Sequence, residues 1–262
     1  MINSIKNLTY DEMQKWAIQK GLKPFVGRQI FEWLFSKNVE SIDSMRNIAK
    51  NIRNIIEKEG PLSLLELKKH EVNEDDSTEK FLFSCLDGNA IESVLIRSAG
   101  RNTVCVSSQI GCAMGCTFCR TADMGILRDL SSGEIVEQVI QITRLTHERV
   151  TNVVFMGMGE PFNNYQEVIK AATVLNHEKG LNIGARHITI STAGIVPRIR
   201  EFSHLPYQFK LAISLNVAND EKRNELMPIN RRYSLRELLE TAKYYTDITN
   251  KLITFEYVLI SG

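Results

Sequence analysis

The 262 residues carry 32 Lys and Arg against 31 Asp and Glu, a formal charge of +1, and 43% of them are hydrophobic. That is the balance of a globular chain with ample material for a core; it neither demands nor excludes a nucleic-acid partner, because a local basic patch is enough to contact phosphates. No apolar run reaches the length of a membrane span, and the start MINSIKNLTYDEMQKW has no apolar leader region, so no membrane association and a cytoplasmic location are expected.

The first sixty residues read as helical. Thr9 can cap a segment whose first turn holds Asp11 and Glu12, where negative charge suits the helix dipole. Ile30, Trp33 and Leu34, then Ile48, Ile52, Ile55 and Ile56, recur at helical spacing, and Gly60-Pro61 punctuates the end. Residues 1–70 hold twelve Lys or Arg against eight Asp or Glu, which fits either a solvated helical surface or an RNA-facing module. From about 64 to 108 the period shortens. Residues 80–84, 91–96 and 103–107 are β-rich, with turn signals at Asp87-Gly88-Asn89 and Ala99-Gly100, and predict an antiparallel group.

Beyond Cys119 helix and strand alternate. Ser131-Ser132-Gly133-Glu134 offers a capping box for a helix running to about His147. Strands are predicted at Val153–Met156, His187–Ser191, Lys210–Leu215 and Leu252–Leu259, and helices near 164–179, 195–203, 219–226 and 234–249. Strands spaced by helices imply parallel βαβ units. The expected fold is α/β: a partial TIM-like (β/α) barrel core at 98–262, preceded by a helical domain at 1–60 and a short antiparallel β element at 61–97.

The five cysteines are Cys85, Cys105, Cys112, Cys116 and Cys119. An odd count without a leader peptide argues against a disulfide framework. Three of them fall in the loop Gly111-Cys-Ala-Met-Gly-Cys-Thr-Phe-Cys119, a CxxxCxxC. Structural zinc usually takes four protein ligands, and no fourth Cys or His lies nearby; His147 sits beyond a predicted helix. Three thiolates on a four-iron cluster leave one iron with an open position, whereas ligation normally takes four cysteines. The pattern therefore points to Cys112, Cys116 and Cys119 as cluster ligands, with zinc binding or inert thiols as the alternative.

Other motifs follow strands. Gly157-Met158-Gly159-Glu160-Pro161 lets a ligand approach the backbone, and its carboxylate suits an ammonium group; the plain alternative is a βα turn with a surface acid. It lacks the lysine and hydroxyl of a phosphate loop. Ser191 and Ser214-Leu215-Asn216 end the next two strands, where ligands gather in parallel α/β folds. Glu92 is a lone acid in an apolar strand, commonly solvent-facing, and Cys105 alone reads as a buried core thiol.

CxxxCxxC with an aromatic before its last cysteine, Val-Ser-Ser-Gln-Ile-Gly-Cys at 106–112, Phe-Met-Gly-Met-Gly-Glu-Pro at 155–161, Ile-Ser-Thr-Ala-Gly-Ile-Val-Pro at 190–197 and Leu-Met-Pro-Ile-Asn at 226–230 together resemble the RlmN/Cfr family of radical S-adenosylmethionine (SAM) enzymes. The resemblance implies a 4Fe-4S cluster and SAM as cofactors. It implies methylation of adenine C2 in 23S ribosomal RNA, with transfer RNA as a further substrate, by a monomer supplied with electrons by flavodoxin or ferredoxin. It places Gly159, Glu160, Ser191, Ser214, Leu215 and Asn216 around SAM, makes Glu92 the proton acceptor, and makes Cys105 the thiol that resolves a protein–RNA adduct by forming a disulfide. The alternatives are C8 methylation of the Cfr type, a radical SAM enzyme acting on a peptide or metabolite, or a non-methylating RNA-associated protein that binds cluster and SAM. Two positions depart from the pattern: Asn216 stands where the family usually has His, and Arg120 where a small residue is usual. The methyl-carrying cysteine of the family has no counterpart after Cys119, so the expectation is a C-terminally truncated methyltransferase whose β-prone run Leu252–Ile260 closes on a sheet edge.

Overall fold

The computed structural model describes residues 4–75 and 77–259; Ile260, the last residue of the β-prone run, lies outside them. Thr9 opens helix α1 (Tyr10–Gln19) with a reciprocal capping box, its hydroxyl accepting from the Glu12 amide while the Glu12 carboxylate accepts from the Thr9 amide. Helix α2 (Pro24–Phe35) starts on a proline, whose missing N–H costs nothing in a first turn. It buries Val26, Ile30, Phe31, Leu34 and Phe35. Helix α3 (Lys50–Glu57) completes the helical front.

Strands β1 (Leu65–Val72), β2 (Thr78–Cys85), β3 (Ala90–Ser98) and β4 (Arg101–Cys105) form an antiparallel meander. Strand β1 escapes the period-two reading for a physical reason: a bulge between Leu67 and Lys69 breaks its alternation, and most of its side chains are exposed. Strands β5 (Gln109–Gly111) and β6 (Ile126–Asp129) form a separate two-stranded ribbon, too short to show a period.

The remaining elements alternate: α4 (Ser132–Thr146), β7 (Asn152–Phe155), α5 (Tyr165–Asn176), β8 (Ile188–Thr192), α6 (Val196–Ser203), β9 (Lys210–Ser214), α7 (Asp220–Leu226), α8 (Leu235–Thr249) and β10 (Ile253–Glu256). Ser131 and Glu134 make the predicted capping box of α4. One eight-stranded sheet runs β1-β2-β3-β4-β7-β8-β9-β10, antiparallel through β4 and parallel from β4 onward. The fold is a mixed α/β partial barrel. Val104, Val153, Phe155, Ile188, Ile190, Leu211 and Ile213, each at most 1% exposed, form the helix-covered face; burying each such side chain stabilises by roughly 1.5–3 kcal/mol. The last rung between β9 and β10 pairs Ser214 with Glu256. Leu252, Phe255, Tyr257, Val258 and Leu259 are exposed along this edge.

Candidate functional site

The cysteine loop is the connection of the β5–β6 ribbon. Gly111 adopts φ +76°, and a Cβ there would lie 1.8 Å from the carbonyl oxygen of Gly125, so only glycine lets the two ends of the loop close. The Cys112 amide donates to that same oxygen at 2.9 Å, Cys119 to Cys116 at 3.0 Å, and Thr117 to Leu226 at 3.0 Å. A 3-10 turn (Arg120–Met124) completes it, with Arg120 projecting into solvent beside Asp123. Cys112, Cys116 and Cys119 all line one cavity. Burial pushes the Cys116 thiol up to about 11 and raises Cys112 as well, while Arg223 pulls Cys116 down. Loading a metal on these thiols must therefore release protons.

Among the described residues no three His, Cys, Asp or Glu side chains are placed to hold a single metal ion. The three thiolates are soft ligands, and an iron–sulfur cluster takes each of them on a separate iron. The donor set fits the cluster.

The turn after β7 lines the same cavity as the cysteines. Gly159 has φ +99°, and a Cβ would meet Gln109 Cβ at 2.5 Å. The turn is bound to the ribbon: the Ser108 amide donates to the Met158 carbonyl at 2.9 Å, and Gln109 Oε1 accepts from the Glu160 amide at 2.8 Å while its Nε2 donates to Asp129 at 2.6 Å. Asn164 Nδ2 donates to the carbonyls of Ser108 and Leu130. Glu160, 3% exposed, accepts from the Phe162 amide at 2.9 Å and the Ala193 amide at 2.7 Å. Burial raises its carboxyl, and these amides work the other way.

Ser191, Ser214 and Asn216 line the same cavity. Asn216 is left-handed (φ +56°), a conformation Asn tolerates; its amide donates to the Glu256 carbonyl and its side chain to Met227 sulfur at 3.4 Å. Leu215 is not a wall residue; its carbonyl is taken by Arg223 Nε at 3.1 Å. Arg223, 1% exposed, also donates to the carbonyls of Ala193 and Ser214 and to Asn230 Oδ1. It thereby ties the ends of β8 and β9 to the segment beneath the cysteine loop. The cavity is about 160 Å³ and shares Phe118 and Asn216 with a groove of about 660 Å³ lined by Val217, Lys222, Leu226, Tyr257, Val258 and Leu259.

Neither Glu92 nor Cys105 lines this cavity, although the Cys105 thiol meets the backbone of Met156, which does. Val94 pairs with Cys105, so Glu92, two residues along β3, projects from the same sheet face. The intervening Ser93 points the other way and bonds Gln138 of α4 at 2.7 Å. Glu92 is half exposed, with Lys80 Nζ at 3.2 Å. Burial pushes the Cys105 thiol up to about 11. All five cysteines are free thiols, so the disulfide expected of Cys105 is not formed in this structure. Gln109, Asn164, Arg223, Asn230 and Glu256 carried no role in the sequence reading. Gln109 and Asn230 sit inside the quoted motifs, and that was the available signal.

A family model described as the radical SAM superfamily matches residues 106–262, and one described as the ribosomal RNA large subunit methyltransferase N-terminal domain matches residues 3–59. The chain is 47% identical over 262 residues to the probable dual-specificity RNA methyltransferase RlmN of Staphylococcus carnosus (strain TM300), covering 99% of this chain and 72% of that protein. The protein of the same name from Caldicellulosiruptor saccharolyticus is 46% identical over 258 residues, covering 98% and 74%. The crystal structure of a radical SAM methyltransferase from Sphaerobacter thermophilus superposes with a TM-score of 0.93 at 41% identity, over 99% of this chain and 77% of that one.

Proposed function

Because this chain belongs to the RlmN/Cfr family of radical SAM RNA methyltransferases, we propose that it methylates C2 of an adenine in 23S ribosomal RNA, and of transfer RNA too. The observation that carries the reading is one cavity walled by Cys112, Cys116, Cys119, Gly159, Glu160, Ser191, Ser214 and Asn216, drawn from four separate segments of the chain. Similarity over nearly the whole chain to proteins named RlmN favours C2 over the C8 chemistry of the Cfr branch.

In this reading the three cysteines hold a 4Fe-4S cluster with one open iron. Bound there, the cluster would supply the electron for reductive cleavage of SAM. The protein's own part is to place SAM. Glu160, fixed by the Ala193 and Phe162 amides, keeps lone pairs for the methionyl ammonium. Gly159 lets the ligand reach the backbone, Ser191, Ser214 and Asn216 complete the wall, and Leu215 serves the site through its carbonyl, which Arg223 holds. Glu92, on the same sheet face as Cys105, takes the proton from the methylated ring carbon, exchanging its contact with Lys80 for the substrate. Cys105 would supply the thiol that attacks the sulfur of the family's methyl-carrying cysteine, forming the S–S bond as the C–S bond to the RNA adduct breaks; that cysteine has no counterpart among these 262 residues. Residues 1–60 dock RNA, 61–97 connect, and 98–262 form the catalytic core of a cytoplasmic monomer that draws electrons from flavodoxin or ferredoxin.

Two measurements test this. Anaerobically reconstituted protein should release 5′-deoxyadenosine from SAM on reduction, with Glu160→Gln reducing SAM affinity about tenfold, the effect of one lost charge-assisted bond. Nucleoside mass spectrometry of ribosomal RNA should show 2-methyladenosine disappearing when the gene is deleted. Loss of 8-methyladenosine instead would assign the Cfr chemistry, and no change in either nucleoside would refute RNA methylation.

A further inference from the structure

Ser191 Oγ donates to Glu256 Oε2 at 2.8 Å, and Ser214 Oγ donates to the same oxygen at 2.7 Å. All three residues line the cavity. A serine hydroxyl has one hydrogen and two lone pairs, and an ionised carboxylate only accepts. Once both hydrogens are committed to Glu256, the 3.4 Å contact between the two serine oxygens has no hydrogen left to bridge it. Toward the cavity both serines can then only accept. The same cavity carries Glu160, another acceptor.

We propose that Glu256 is a positioning residue that fixes the hydrogen-bond polarity of Ser191 and Ser214, so that this wall binds the ribose hydroxyls of SAM and rejects its carboxylate. The inference rests on the reading of the cavity as the SAM site and deepens it. SAM offers donors at the α-ammonium, the two ribose hydroxyls and the adenine amine, whereas its carboxylate only accepts. With the ammonium at Glu160, the donors left are the ribose hydroxyls and the adenine amine, and of these the two hydroxyls on neighbouring carbons match a pair of acceptor oxygens 3.4 Å apart. Without Glu256 each serine could turn its hydrogen to the ligand, and the wall would no longer distinguish a donor from an acceptor.

The test is equilibrium dialysis of anaerobically reconstituted protein with SAM and with its 2′-deoxy and 3′-deoxy analogues. In the wild type at least one analogue should bind about tenfold more weakly than SAM, the effect of one hydrogen bond left unmade. Glu256→Met, which removes the acceptor at similar size, should bring that ratio close to one. Glu256→Gln, whose amide oxygen can still accept from both serines, should restore it. A merely structural Glu256 would weaken SAM and its analogues alike, so a wild-type ratio surviving in Glu256→Met overturns the inference. If that variant fails to load iron, Ser191→Ala and Ser214→Ala decide: each should lose the discrimination for one hydroxyl, and retention in both overturns the proposal. Equal binding of all three ligands to the wild type overturns the polarity argument and leaves the SAM site standing. No SAM binding to iron-loaded wild type removes the site itself.

Discussion

Gly159 and Glu160 meet the ribbon at Gln109, and at this point single atoms decide the shape of the cavity. A methyl group on residue 159 would sit 2.5 Å from Gln109 Cβ and 2.8 Å from its amide nitrogen, at a φ of +99°. Gly159→Ala should therefore lower stability by about 1–3 kcal/mol and push the turn out of register with Gln109. Denaturant titration and SAM dialysis check it, and wild-type values in both would contradict the packing described. Gly159, Glu160, Ser191 and Ser214 were legible in the sequence because each follows a predicted parallel strand, where ligands gather. Gln109, Arg223 and Glu256 were not, since their importance lies in partners distant in sequence: Glu160, Ala193, Ser191. Leu215 shows the converse, for its backbone serves the site through Arg223 while its side chain does not form the wall.

At the scale of elements, Arg223 of α7 holds three carbonyls at the ends of β8 and β9. Arg223→Met would strand buried acceptors whose desolvation costs about 1–3 kcal/mol each. A fall in stability of about that size is expected by urea unfolding, together with weakened iron retention as the cysteine loop loses its base; unchanged stability would show that water replaces the guanidinium. A second link joins the β2–β3 turn to the ribbon and α4: Arg128 bonds Asp87 on one side and Glu134 on the other. Its bond to Asp87 holds that carboxyl at about 2, below the ordinary 3.8. A depressed carboxyl contributes stability that is present above 3.8 and lost as pH falls toward 2. The Tm of the wild type should drop more steeply than that of Asp87→Asn across this window, by a modest margin because Asp87 is about one-third exposed. Parallel slopes would contradict the assignment. The helices and parallel strands were legible from their periods and caps. Strand β1 was hidden by its bulge, and the ribbon by its length.

Across the whole molecule, the helical front is fastened to the core by a fully buried ion pair between Lys6 and Glu137 of α4. Burial pulls the Lys6 ammonium down and Glu137 holds it up. Ser132 Oγ donates to the Asn7 carbonyl, and the Gly133 amide to Asn7 Oδ1. Breaking one partner leaves an uncompensated buried charge, so Lys6→Met should cost about 3–5 kcal/mol, and Lys6→Met with Glu137→Leu should recover most of it. Limited proteolysis between the helical front and the sheet reads the outcome, and equal cleavage of single and double variants would contradict it. None of this contact could be read from the sequence, because Lys6 in a basic segment looks like surface.

The central claim is that the loop of Cys112, Cys116 and Cys119 holds a four-iron cluster. Iron and acid-labile sulfide measured on anaerobically prepared protein test it most directly. The expected result is brown protein with about four irons and four sulfides per chain, and near-complete loss of both in Cys116→Ala. Colourless protein carrying stoichiometric zinc, or iron content indifferent to that substitution, would contradict it.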